Sequence, residues 1–189
     1  SPYHPNSPYS ASKAASDHFV RAYSHTYGLS ITLSNCSNNY GAFQHQEKLI
    51  PLMITYCIQK KPMPIYGNGK NVRDWLFVDD HAEAIWKVLQ FGKKGETYNI
   101  GGDEELCNLD IVHEIIKQVS SLLGEDENEN RKLMTFVEDR LGHDFRYAID
   151  YRKIKEELGW SPRHKFSEGL RDTIAWYVEI VKEEDPIGV

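Results

Sequence analysis

Apolar and polar positions along this chain follow two periods, near 3.6 and near 2, and the switches between them divide it into helices and strands. Residues 7–27 are helical in pattern, with Ser7 as N-cap, Pro8 at the first helical position and Gly28 as the stop. Ser30-Ile-Thr-Leu-Ser-Asn-Cys36 is uncharged and rich in β-branched residues, which predicts a buried strand. Residues 37–47 are polar and turn-rich and read as a loop. An amphipathic helix over 48–59 and a short strand over 63–66 follow. Gly67-Asn68-Gly69 predicts a hairpin turn into a strand over 72–78. Asp79 or Asp80 is expected to cap a helix with apolar positions Ala82, Ile85, Trp86 and Leu89. A strand over 97–100 ends at Gly101-Gly102, and Asn108 is expected to cap a helix running to Leu123 through Ile111, Ile115, Val119 and Leu122. Residues 125–132 read as a mobile acidic stretch, and 134–137 as a strand. A short helix over 151–158 ends at Gly159, and a last helix covers 167–182. No segment repeats. Strands alternating with helices predict an α/β fold.

At 189 residues the chain is long enough for one domain with a proper core and room for part of a second. The net charge is −6 with Lys and Arg scattered, which argues against a nucleic-acid partner. Its longest apolar stretch, 49–58, is broken by Pro51 and far too short for a membrane span. Three cysteines without a Cys-x-x-Cys argue against a disulfide framework or zinc knuckle, and predict buried free thiols in a reducing compartment. These features together predict a soluble, cytoplasmic chain.

Among candidate chemical groups, Tyr9 and Lys13 stand out. Their spacing places them one turn apart on a helix face. An ammonium beside a phenol favours the phenolate, and a phenol so tuned can take a proton from a substrate hydroxyl. The spacing alone is equally that of an exposed Tyr and Lys on a solvated helix. The thirteen glycines never fall as Gly-x-Gly-x-x-Gly or Gly-x-x-Gly-x-x-Gly, so no segment is an obvious phosphate cradle. Ser37-Asn-Asn-Tyr-Gly41 follows a strand, where open α/β sheets bind ligands, and its two amides offer donors and acceptors; its other reading is a plain turn. Arg73 and Arg140 suit phosphate oxygens or, taken singly, salt bridges. His143 taken alone is structural. Nothing has the spacing of a metal site or of a serine elbow.

Several segments carry a likeness in order: Ser7-Pro-Tyr-Ser-Ala-Ser-Lys-Ala-Ala-Ser-Asp17, Ser37-Asn-Asn-Tyr-Gly41, Glu47-Lys-Leu-Ile-Pro51, Pro64-Ile-Tyr-Gly67, Asn71-Val-Arg-Asp-Trp-Leu-Phe-Val-Asp-Asp-His81, Glu96-Thr-Tyr-Asn-Ile-Gly-Gly102, Gly142-His-Asp-Phe-Arg-Tyr-Ala-Ile-Asp150 and Leu158-Gly-Trp-Ser-Pro162. Through them the chain resembles the extended short-chain dehydrogenase/reductase superfamily, and within it the dTDP-glucose 4,6-dehydratases. Leu141 departs from the proline usual there, and residues 42–46 depart from a proline-containing version.

The resemblance implies the last strands and helices of an NAD-binding Rossmann-type fold over 1–45. It implies a smaller α/β nucleotide-sugar domain over most of 46–189, with segments returning to the Rossmann sheet. Tyr9 is then the base and Lys13 its partner on the nicotinamide ribose, with Asn39 on NAD and Asn38 on the nucleotide-sugar. Lys48, Leu49, Pro64, Ile65, Tyr66 and Asn108 line the nucleotide pocket; Arg73 and Arg140 hold the diphosphate, beside Asp139 and His143. The implied substrate is dTDP-glucose and the implied assembly a homodimer, joined partly through the Tyr-Lys helix. Phe19 and Tyr23 read either as part of that face or as intramolecular core. The glycine-rich loop and an acid–base Thr-Asp-Glu motif belong upstream, so this C-terminal portion alone is expected to be inactive. Two other readings stay open: an NAD-dependent nucleotide-sugar epimerase or decarboxylase, and a non-catalytic nucleotide-sugar module.

Overall fold

The computed structural model describes residues 3–139 and 144–184. Helix α1 (Pro8–Tyr27) begins as its sequence dictates: the Ser7 hydroxyl accepts from the Ser10 amide at 3.1 Å, and Pro8 occupies the first turn. It ends at Gly28, whose φ of 69° lets its amide donate to Ser24 O. Strand β1 (Leu33–Cys36) pairs in parallel with β5 (Thr97–Ile100), Leu33 opposite Thr97 and Cys36 opposite Ile100. Helices α3 (Val78–Phe91) and α6 (Arg152–Leu158) complete a smaller core of Leu76, Ala84, Val88, Tyr98, Ile100, Ile154 and Trp160.

Strand β4 (Val72–Phe77) is the hub of the remaining sheet. It pairs in parallel with β2 (Asn38–Tyr40), antiparallel with β6 (Glu105–Cys107), and in parallel with β8 (Arg146–Tyr147) at Val72 and Arg73. Elsewhere β3 (Met63–Tyr66) pairs in parallel with β7 (Met134–Val137). Around these strands α2 (Leu49–Ile58), α4 (Asn108–Leu123) and α7 (Phe166–Glu184) build the larger core, with Ile50, Ile54, Ile111, Ile115, Leu170 and Ile174 fully or almost fully buried. Two close approaches fix the end of the hub strand. A side chain at Gly102 would lie 1.7 Å from the Trp75 carbonyl oxygen, and the buried Asp74 carboxylate accepts from the Gly102 and Glu104 amides at 3.1–3.2 Å.

The α/β class follows the sequence pattern, but several elements differ from it. Residues 38–40, expected in a loop, form β2, because β4 offers them a ladder. The turn at 67–69 exists, yet β3 and β4 form no hairpin, since β3 takes β7 as its partner. Helix α3 starts at Val78 with Phe77 as N-cap, leaving Asp79 and Asp80 in its first turn. Cys107 rather than Asn108 caps α4, its sulfur accepting from the Asp110 amide at 3.4 Å. The acidic stretch 125–132 contains helix α5 (Glu127–Arg131), pinned by buried Asn130, which donates to Ser120 Oγ and Glu125 Oε2 at 2.9 and 2.8 Å. Only Cys57 is fully buried; Cys36 and Cys107 are half-buried. On α3, Ala84 and Val88 face the core, while the expected apolar stripe of Ala82, Ile85, Trp86 and Leu89 faces outward, Leu89 at 70 % exposure. Leu122, expected on the inner face of α4, is also exposed.

Candidate functional site

A cavity of about 550 Å³ opens where three chain ends meet: strand β2, the N-terminus of α2 and the N-terminus of α4. Asn38 and Asn39 reach it from β2, Lys48 and Leu49 from the start of α2, Asn108 from the start of α4, Tyr66 from β3, and Arg73 from β4. Two helix N-termini supply partial positive charge to one space already holding a Lys and an Arg, an arrangement suited to an anion. Arg73 is half-buried. Its guanidinium donates to the carbonyls of Val72 and Asp144 at 2.7 Å and of Phe145 at 3.4 Å. Burial lowers its pKa, and the nearby Asp144 and Asp139 carboxylates oppose that shift, so it stays a fixed cation.

Three polar atoms of the lining residues are buried without partners. Asn39 donates through Nδ2 to Ser37 O and Cys36 Sγ, at 3.1 and 3.4 Å, leaving Oδ1 buried without a hydrogen bond. Gln44 Oε1 and Trp75 Nε1 are in the same condition. Each of these three atoms has almost no accessible surface, so it is an unpaired polar group inside the cavity wall and not one that faces the cavity.

The Tyr-Lys pair lies apart from this lining. On α1, Lys13 Nζ stands 5.7 Å from the centroid of the Tyr9 ring, and Tyr9 is 71 % exposed. Tyr147 is paired opposite Arg73 in the β4–β8 ladder, and its hydroxyl donates to Cys36 O at 3.3 Å. Burial raises the Tyr147 pKa, keeping that phenol neutral.

Seven sequence-predicted residues therefore share one cavity: Asn38, Asn39, Lys48, Leu49, Tyr66, Arg73 and Asn108. Ile65 points into the larger core, and neither it nor Pro64 is in the lining. Asp139 packs on Gly67, where an added side chain would meet its Oδ2 at 3.0 Å, and it acts on Arg73 electrostatically. Arg140 and His143 lie outside the described residues. Gln44, Glu47, Trp75 and Tyr147 were not singled out from sequence, although the last three fall within the segments that carry the resemblance. Phe19 and Tyr23 are exposed at 66 % and 54 % in this chain.

An α/β fold with parallel strand pairs matches the short-chain dehydrogenase/reductase type of NAD-binding dehydratases and epimerases. The sequence bears this out at finer grain. The chain belongs to the GDP-mannose 4,6 dehydratase family, whose pattern matches residues 1–173. It is 54 % identical to a probable dTDP-glucose 4,6-dehydratase of Sinorhizobium fredii, over 95 % of this chain and 51 % of that protein. With the dTDP-glucose 4,6-dehydratase of Haemophilus influenzae it shares 55 % identity, over 94 % and 54 %. The crystal structure of DesIV, a dTDP-glucose 4,6-dehydratase of Streptomyces venezuelae solved with NAD bound, superposes with a TM-score of 0.89 at 45 % identity, covering all of this chain and 56 % of DesIV. The chain spans about half the length of the curated relatives it matches.

Proposed function

We propose that this chain supplies the Tyr-Lys pair and the nucleotide-sugar pocket of a dTDP-glucose 4,6-dehydratase. The observation that carries the reading is the cavity that gathers Asn38, Asn39, Lys48, Leu49, Tyr66, Arg73 and Asn108 where two helices begin. Arg73 and the two helix N-termini receive the diphosphate, with Arg140 as a second cation and Asp139 and His143 beside the nucleotide. Pro64 and Ile65 shape the wall behind Tyr66. Asn38 orients the sugar. The cofactor side falls in residues 1–45, and the substrate side in most of 46–189, with segments returning to the β1–β5 sheet. The smaller core, drawn from β4, α3, β5 and α6, supports that division.

Asn39 brings an amide to the cavity wall and Lys13 beside Tyr9 fits a ribose, so the residues present suit NAD. When bound, NAD supplies the internal redox that converts dTDP-glucose to dTDP-4-keto-6-deoxyglucose. Tyr9 takes the proton of the sugar 4-hydroxyl, with Lys13 as its partner on the same helix. The sequence contains no Thr-Asp-Glu and no Gly-x-x-Gly-x-x-Gly, so elimination and the dinucleotide cradle need other residues, and this chain alone is inactive. Exposure of Phe19 and Tyr23 supports a homodimer joined through α1; we infer a cytoplasmic setting from three free cysteines without a disulfide framework.

Calorimetry tests the pocket and an assay tests the rest. The chain is expected to bind dTDP and dTDP-glucose and to turn neither over. Absence of dTDP binding would sink the pocket, and formation of the 4-keto product by the chain alone would sink the claim of inactivity.

A further inference from the structure

Residues 41–47 separate two depressions. On one side lies the site cavity; on the other a groove of about 540 Å³ is walled by Phe43, Trp176, Tyr177 and Ile180. Gln44 and Glu47 border both, so the segment is a thin partition and any shift in it changes the site. Its conformation is not one that its residues choose alone. Phe43 has φ of 61°, in the left-handed region that disfavours a bulky L-residue, and its side chain is 84 % exposed. Helix α7 supplies the hold. The Phe43 ring rests on Trp176 with centroids 4.7 Å apart, Trp176 meets Tyr177 edge-on at 4.7 Å, and the buried Tyr177 donates its hydroxyl to Gln44 O.

From the partition the hold passes into the cavity lining. Gln44 Nε2 donates to Asn39 O at 2.8 Å; that carbonyl only accepts, so the nitrogen must face it and Oε1 is the atom left over. Gln44 thereby ties the partition to β2, which carries Asn38 and Asn39, while Lys48 N donates to His45 O at 3.0 Å and ties it to the start of α2.

We propose that Phe43, Trp176 and Tyr177 are positioning residues: an aromatic clamp on α7 sets the 41–47 partition, and through it the affinity of the cavity for a nucleotide-sugar. This rests on the pocket reading above. No clamp residue needs to touch the ligand. The clamp acts by making a disfavoured backbone state the stable one, as strain at binding sites is held by surrounding structure.

The test uses the 189-residue chain, amide hydrogen exchange and dTDP-glucose calorimetry. Trp176→Ala is expected to speed exchange of amides 42–47 by about tenfold or more, to leave the buried amides of α4 unchanged, and to weaken dTDP-glucose binding about tenfold. Trp176→Phe retains a ring and is expected to hold both near wild type. Phe43→Asn in the Trp176→Ala background is expected to restore protection and affinity in part, because Asn accepts left-handed φ more readily. Unchanged exchange and affinity in Trp176→Ala overturn the clamp, as does exchange accelerated equally throughout α4. If the wild-type chain binds neither dTDP nor dTDP-glucose, the pocket reading fails. Exchange at 42–47 then decides the clamp by itself, equal rates in wild type and Trp176→Ala overturning it.

Discussion

Arg73 joins burial, charge and fixed geometry in one side chain. With its guanidinium spanning the carbonyls of Val72, Asp144 and Phe145, it cannot swing away from the cavity without losing those bonds. Arg73→Lys keeps the charge but not the planar fork. It is expected to weaken dTDP binding about tenfold, and Arg73→Ala by more, both read by calorimetry. Two histidines act on stability instead. Burial lowers the pKa of His81, and burial together with the Arg131 guanidinium lowers that of His113. Arg131 can only donate, so the Nδ1 it meets on His113 is an acceptor and that imidazole is neutral. Below about pH 6.5 the unfolded chain takes up protons at both rings while the folded chain resists, so stability falls as pH drops from there toward the lower folded values. The melting temperature is therefore expected to fall between about pH 7.5 and pH 5.5, and less in a His81→Gln/His113→Gln double variant. These residue-level features were unevenly legible. Arg73 taken alone reads as a salt bridge, and only the resemblance carried by its segment makes it a phosphate candidate. Tyr147 was not legible, because its place beside Cys36 and Arg73 depends on a two-residue strand closing onto β4 from far along the chain.

Elements with local signals were the legible ones. Helix α1 announces itself through Ser7, Pro8 and Gly28, and the structure uses all three. Strands β2, β6 and β8 have two or three residues each and no signal of their own, since the hub strand and not β-propensity makes them strands. Helix α5 was missed for a related reason: its acidic surface reads as disorder, and the buried amide of Asn130 that holds it has no periodicity. Asn130→Ala leaves Lys60, Ser120 and Glu125 short of a partner and is expected to cost about 2 kcal/mol, measured by urea unfolding. Gly102→Ala is expected to be more severe. The new carbon would sit inside the Trp75 carbonyl, in backbone that cannot yield without breaking the Asp74 nest, and a loss of about 4 kcal/mol or failure to fold is predicted.

At the scale of the whole molecule, two helices present apolar residues outward. Helix α1 has no buried residue, and its sparse side-chain ties include Tyr3 with Asp17 and Arg21 with Thr97 Oγ1. A helix without a packed face is marginal in water, so α1 is expected to be the least protected helix by amide exchange in this chain. In this chain the Tyr-Lys pair therefore sits on a weakly packed helix, while the cavity is walled by β2, β3, β4, α2 and α4. The outward stripe of Ile85, Trp86 and Leu89 on α3 was legible as apolar; its direction was not, because periodicity marks a face without saying what meets it.

The strand ladders carry a consequence for time rather than for energy. Leu33 meets Thr97, Met63 meets Met134 and Val72 meets Arg146, so the parallel pairs join residues far apart in sequence. Nothing local rewards the chain before those ends have found each other. Refolding from denaturant is accordingly slow, and while it proceeds the half-made sheets are open to other chains. Yield after dilution is then governed by protein concentration more than by equilibrium stability.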